Sequence, residues 1–221
     1  MQPGASLPAE RALATLLRVN RNAVREGLKR LQQAGLVAIQ QGGHTRVLDF
    51  RRTAGLEVLA TMVVRGDGQI DTQIVRSILE LRTELAPIVG RLAARRAARK
   101  HVDALRDVVV RMREAKGDSA VLVRLALDFW AHVVEATDNI ALQLAFNSLA
   151  VSYGSVLEHV HHMMSDEVRA TADYDALVDA IALGRQEKSG EIAKRIVARG
   201  EASAVRITKV VDAVQRKGRS S

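Results

Sequence analysis

Apolar residues recur every three or four positions along most of this chain, the spacing of one buried helical face. Leu13, Leu16 and Leu17 follow it near the start, and Val24, Leu28 and Leu31 repeat it after a break at Arg18-Val19-Asn20. Asn20 can cap the second helix by accepting from the free N–H groups of its first turn. That places Arg21, Asn22 and Arg25 at the exposed head of the helix. Ala34-Gly35 ends it, and from Leu36 to Gln40 the pattern changes to alternation, the period of a strand. Gly42-Gly43 reads as a turn and Thr45 to Leu48 as the returning strand. A helix, a turn, a second helix and a two-stranded wing is the arrangement that presents the second helix to a DNA major groove. Such a unit ordinarily has a further helix ahead of Leu7, and six residues leave no room for one. Support on that side is expected to be weaker.

Past the wing the helical period dominates. Asp49 to Thr53 is polar, and Gly55 to Val64 reads as a short apolar helix closed by Arg65-Gly66-Asp67-Gly68. Asp71 can cap a helix reaching about Arg99, with Ile74, Ile78, Leu81, Leu85, Ile88 and Leu92 on its inner face. Pro87 lacks a backbone donor, so a kink is predicted there. Further helices are predicted over 103–116, 120–137, 141–164, 174–183 and 190–214, and six or seven of them with short breaks make an antiparallel bundle. The predicted fold is mainly α. It consists of a winged helix-turn-helix over residues 1–50, a linker helix over 51–70 and an all-helical unit over 71–221.

Composition sharpens this picture. Of 221 residues, 48% are apolar and 26% charged, which suits a packed core rather than disorder. No run of eighteen apolar residues exists and no signal-peptide pattern opens the chain. Cysteine is absent, which removes thiolate chemistry and fits a reducing cytoplasm. The net charge is +8, and residues 1–52 hold nine Lys and Arg against three acids. Basic charge concentrated on the helix-turn-helix favours a module that contacts phosphates. No nucleophile with a matched base and no complete metal-ligand set stands out, so an enzyme is not expected.

The segments Leu7 to Arg11, Val19 to Leu31 and Ala34 to Val47 resemble the DNA-binding domain of the GntR superfamily of bacterial regulators. Leu81 to Glu84, Ala93-Ala94 and Asp128 to Asn139 resemble the helical domain of its FadR branch. Asp49 to Leu59 is closest to the fatty-acid regulators of that branch. The resemblance implies a homodimer that binds a double-stranded operator and releases it when a long-chain acyl-CoA enters the helical domain. A small carboxylate, in places with a divalent metal, is the effector elsewhere in the branch.

Arg11, Arg21 and Arg25 match the DNA-reading arginines of the superfamily. A guanidinium fork can hold O6 and N7 of guanine, which agrees with that role. Asn20 and Asn22 stand at positions usually held by Ser or Thr and can still donate to phosphate. Gly42 matches the wing-tip glycine, and His44 or Arg46 replaces the basic residue expected beside it. Asp128 and His132 lie four apart and leave one helical face. Many branch members bind a metal through such a pair and two later histidines. Here Tyr174 and Gly200 stand at those places, so no resident metal or other cofactor is expected. His159, His161 and His162 are the remaining imidazoles that could serve. Gly200 and Ser203 resemble a Gly-x-x-Ser segment that lines an acyl-CoA site.

Overall fold

In a computed structural model of the protein, the backbone is described for residues 1–40, 44–154 and 165–218, and the side chains for the same residues outside 152–165 and 204–218. The chain divides into two compact units, Met1–Val58 and Leu59–Ser221.

In the first unit, α1 (Glu10–Leu17) and α2 (Arg21–Gln33) are joined by a turn in which Arg18 adopts φ 55°. The Asn20 side chain accepts from the Ala23 N–H at 2.8 Å, which is the predicted cap. Ala14, Val24 and Leu28 form the small core between the helices, with Leu7 and Leu13 packed on it. The predicted inner face of α1 is only partly correct, since Leu16 is 73% and Leu17 60% exposed. Among the described residues nothing covers that side of α1. Leu31 is likewise exposed, because α2 turns that flank away from α1.

Strands β1 (Val37–Ile39) and β2 (Thr45–Val47) pair antiparallel with Val37 opposite Val47 and Ile39 opposite Thr45. The residues ahead of α1 are not idle. Gly4 and Leu7 donate to the carbonyls of Val47 and Thr45, and Val47 donates to Ala5, so this stretch lies against the free edge of β2. A one-turn helix, α3 (Phe50–Thr53), closes the unit. Thr53 Oγ1 donates to the carbonyl of Gly35 at 2.6 Å and to that of Asp49 at 2.9 Å.

The second unit begins with α4 (Leu59–Met62). The predicted helix over Gly55 to Val64 is split, because Leu56–Val58 winds as a 3₁₀ turn and Val64 leaves the helix to bridge Ile70. Then follow α5 (Thr72–Arg96), α6 (Arg99–Glu114), α7 (Ser119–Glu135), α8 (Ile140–Gly154), α9 (Ser165–Val168), α10 (Thr171–Ala182) and α11 (Gln186–Gly218). Asp71 and Asp118 cap α5 and α7 through bonds to two backbone N–H groups each. Helix α5 continues through Pro87 without ending. The predicted helix over 141–164 is described only as far as Gly154, where α8 ends.

The predicted inner face of α5 is correct in part, with Ile78 buried and Ile74 and Leu81 packed on the core, but the buried face extends to one side of it. Val75, Ile78, Leu79, Ala86, Val89, Gly90, Ala93 and Ala94 are buried, whereas Ile88 is 42% exposed. The cause is the partner. Helices α5 and α11 share the largest helix–helix contact among the described residues, and small side chains let them approach closely. A Cβ on Gly90 would meet the Ser189 carbonyl at 2.8 Å, and Ser189 Oγ donates to the Gly90 carbonyl at 2.7 Å. The core continues through Leu105, Met112, Leu122, Phe129, Tyr174, Leu177 and Ile196, all essentially without exposed surface.

Gly35 has φ 69°, and a Cβ there would overlap the Thr53 carbonyl. Gly35→Ala is therefore expected to destabilise the first unit by at least about 1–2 kcal/mol from the left-handed backbone alone. Denaturant unfolding followed by circular dichroism measures this, and an unchanged midpoint would refute it.

Candidate functional site

The first unit places two of its cations, Arg21 and Arg25, at one helix head. Val24 and Leu28 hold α2 against α1, which leaves Arg21, Asn22 and Arg25 exposed at the solvent-facing start of α2. The Asn20 cap spends its own side-chain oxygen on the backbone. Arg25 Nε and Nη2 donate to Glu10 Oε1 and Oε2 at 3.4 and 3.1 Å, a fork across α1 and α2. Hydrogen bonding from Arg25 holds the Glu10 carboxyl below its usual pKa, and Glu10 in turn raises that of Arg25. The pair is largely exposed, so it adds little stability. Its effect is to orient the guanidinium. Glu10 was not singled out in the sequence, although a carboxylate fifteen residues before an arginine gave no local signal.

Arg11 is exposed on α1, while His44 and Arg46 are exposed at the start of and along β2. The Gln40 N–H donates to the His44 carbonyl at 2.8 Å and closes the wing there. Gly42 lies outside the described residues.

In the second unit α5, α7, α8 and α11 enclose a cavity of about 70 Å³. Leu85, Val89, Phe146, Leu149 and Val197 give it apolar walls. Arg82 is the one charged side chain among the described residues lining it, and Trp130 flanks it. The apolar walls suit a hydrocarbon tail rather than a polar group.

Behind that wall Arg82 pairs with the fully buried Glu167 of α9. Gly200 of α11 makes room for Glu167, since a Cβ at 200 would overlap its carboxylate. Ser203 Oγ donates to Asp166 at 3.1 Å, and Thr83 Oγ1 donates to Glu201 at 2.8 Å. Tyr174 packs edge-on against Phe129, with ring centroids 4.9 Å apart. Trp130 Nε1, Tyr174 Oη and Glu167 Oε2 are buried without a well-formed hydrogen bond. Burial pushes the Glu167 carboxyl above its usual pKa, against the pull of Arg82 and of the nearby indole N–H. Burial also pushes the Tyr174 phenol well up, and the Glu167 charge adds to this.

Residues 1–47 match the model of the bacterial regulatory proteins of the gntR family, and residues 77–199 match the FCD domain. The chain belongs to the GntR family. It is a DNA-binding transcription regulator with an FCD effector domain, not an enzyme. This GntR regulator is 43% identical over 184 residues to the HTH-type transcriptional regulator Mce2R of Mycobacterium tuberculosis, covering 83% of this chain and 76% of the relative. It is 32% identical over 205 residues to a protein of Erwinia tasmaniensis named fatty acid metabolism regulator, covering 86% and 82%. Among solved structures it is similar to Listeria monocytogenes Lar, with a TM-score of 0.63 at 15% identity over 93% of this chain and 89% of Lar. Escherichia coli McbR/YncC gives a TM-score of 0.56 at 18% identity over 94% and 90%. At such identities the likeness is one of fold.

Asp128 and His132 do share a face of α7, but it is the outer one, with their side chains 42% and 32% exposed. Asp128 accepts from Arg111 at 2.6 Å, and His132 lies 3.3 Å from Glu135. They do not meet Tyr174 and Gly200, which lie by Glu167 instead. The inward neighbours on α7 are Ala126, Phe129 and Trp130. Among the described residues no three His, Cys, Asp or Glu side chains gather as metal ligands. His159, His161 and His162 lie outside the described residues. Gly200 and Ser203 back α9 and do not line the apolar cavity. Arg82, Trp130 and Glu167 were missed as site residues, because each looked like an ordinary member of a helical pattern.

A carboxyl whose pKa rises on folding binds protons more tightly folded than unfolded, so its contribution to stability is lost as pH rises through the folded value. Relative to Glu167→Gln, the wild-type chain should gain stability as pH falls from 7 toward the ordinary carboxylate range. The gain is about 1.4 kcal/mol for each tenfold difference in proton affinity. Denaturant midpoints of both proteins at several pH values check this, and parallel curves would count against it.

Proposed function

We propose that this GntR regulator controls genes of fatty-acid metabolism, binding a pseudo-palindromic operator as a homodimer and releasing it when an acyl ligand enters the helical unit. The head of α2 carries the DNA half of this reading. Arg21, Asn22 and Arg25 project from a capped helix whose opposite face is packed, which suits insertion into a major groove. In this reading the exposed Arg11 contacts the adjacent backbone or bases, and the exposed His44 and Arg46 contact the minor groove beside the wing. The relatives named fatty acid metabolism regulators support the regulated genes. A two-fold protein suits half-sites spaced to match it.

A long-chain acyl-CoA is the first reading for the effector, supported by those relatives and by the apolar walls around Phe146 and Leu149. A small carboxylate without metal is the second. One observation favours it, the presence of Arg82 in an otherwise apolar lining.

Arg21→Ala should weaken operator binding by about 1–3 kcal/mol and relax the preference at one base position. Fluorescence anisotropy against operator and scrambled duplexes measures both. Unchanged affinity and preference would remove the recognition role. Palmitoyl-CoA at micromolar concentration should dissociate the operator complex. A complex that persists would remove the acyl-CoA reading and leave the DNA-binding one standing.

A further inference from the structure

The geometry points to Glu167 as an internal stand-in for the effector's own head group: a monocarboxylate with a short apolar tail enters the cavity, displaces Glu167 from Arg82 and takes its place. The inference rests on the reading of the helical unit as an effector domain, and it names the ligand class.

Three observations converge on it. Arg82 serves both spaces, lining the apolar cavity while its guanidinium holds Glu167. A second carboxylate cannot simply join the first, since like charges at one site repel. Exchange keeps the buried charge constant, so no new ion has to be desolvated alone. The surrounding donors suit a ligand better than they suit Glu167. Trp130 Nε1, Tyr174 Oη and the second Glu167 oxygen are buried without a well-formed hydrogen bond, although the indole N–H lies near the carboxylate. Buried polar groups are rarely left so. A ligand carboxylate has about four acceptor positions and could take the guanidinium, the indole N–H and the phenol together. The cavity also has a suitable lining, because Leu85, Val89 and Phe146 offer an apolar tail apolar walls.

The displaced side chain has somewhere to go. Helix α9 is a single turn, and Asp166, Arg169, Arg199 and Ala202 border an open cleft beside it. Glu167 can turn toward the arginines there. Ligand binding then alters the contact between α9 and α11 at Gly200.

Trp130 is the sole tryptophan of the chain and lies against the exchanged pair, so its fluorescence reports occupancy. The full-length protein is titrated with hexanoate and, separately, with hexan-1-ol. A saturable change with hexanoate and none with the alcohol at equal concentration is expected. Glu167→Gln should bind hexanoate at least about tenfold more tightly, because a neutral amide competes less for the guanidinium. The double variant Arg82→Gln/Glu167→Gln leaves no lone buried ion and should lose saturable binding while its thermal transition remains cooperative. Equal binding of the alcohol, an unchanged or weaker Glu167→Gln affinity, or binding retained in the folded double variant would each overturn the exchange. Palmitoyl-CoA is tested in parallel on the operator complex. Release by palmitoyl-CoA without hexanoate binding overturns the exchange and leaves the acyl-CoA reading intact. Hexanoate binding lost in the double variant, without release by palmitoyl-CoA, supports the exchange and removes that reading.

Discussion

Burying the Glu167 carboxylate beside the Arg82 guanidinium takes two ions out of water, and their attraction offsets that loss only if the geometry is good and the remaining polar atoms find partners. Here the second condition is met only in part, since an oxygen of Glu167 and the polar atoms of Trp130 and Tyr174 lack well-formed hydrogen bonds. A core built for stability alone would place apolar side chains in this volume. The pair ties together α5, α9 and α11, and Gly200 is small because that carboxylate lies against it. The polar centre of the helical unit therefore constrains the identity of residues on three helices at once.

The DNA-binding unit follows a different logic. Among the described residues the core between α1 and α2 is three buried side chains with two leucines packed on them, so backbone hydrogen bonds do much of the ordering. The Asn20 cap, the Thr53 hydroxyl on Gly35 and the strip ahead of α1 lying along β2 each fix one junction. What these junctions position is charge. Arg21 and Arg25 stand on the face that packing does not use, and Glu10 aligns one of them. Exposed cations cost little to hold in this way, and Arg25 has to give up part of its pairing with Glu10 to serve a polyanion.

Much of this was legible in the sequence, and the exceptions have physical causes. The helix-turn-helix could be read because Asn20, Gly35 and the switch from a helical to an alternating period are local signals. The inner face of α5 was only partly placed because large apolar residues were assumed to face inward, whereas the close approach to α11 uses Gly90. Asp128 and His132 were correctly placed on one face of α7, but periodicity alone does not say which face is inside. Phe129 and Trp130 claimed that side because their area is greater. Glu167 was invisible for a plainer reason. An acidic residue in a one-turn helix looks solvated, and its partner stands eighty-five positions earlier.

The strip from Gly4 to Leu7 lies along β2, the strand that carries Arg46. Whatever is joined to the amino end is thereby delivered next to the wing. A fusion tag placed there would crowd the face offered to the duplex, so purification handles for operator studies belong at the opposite terminus.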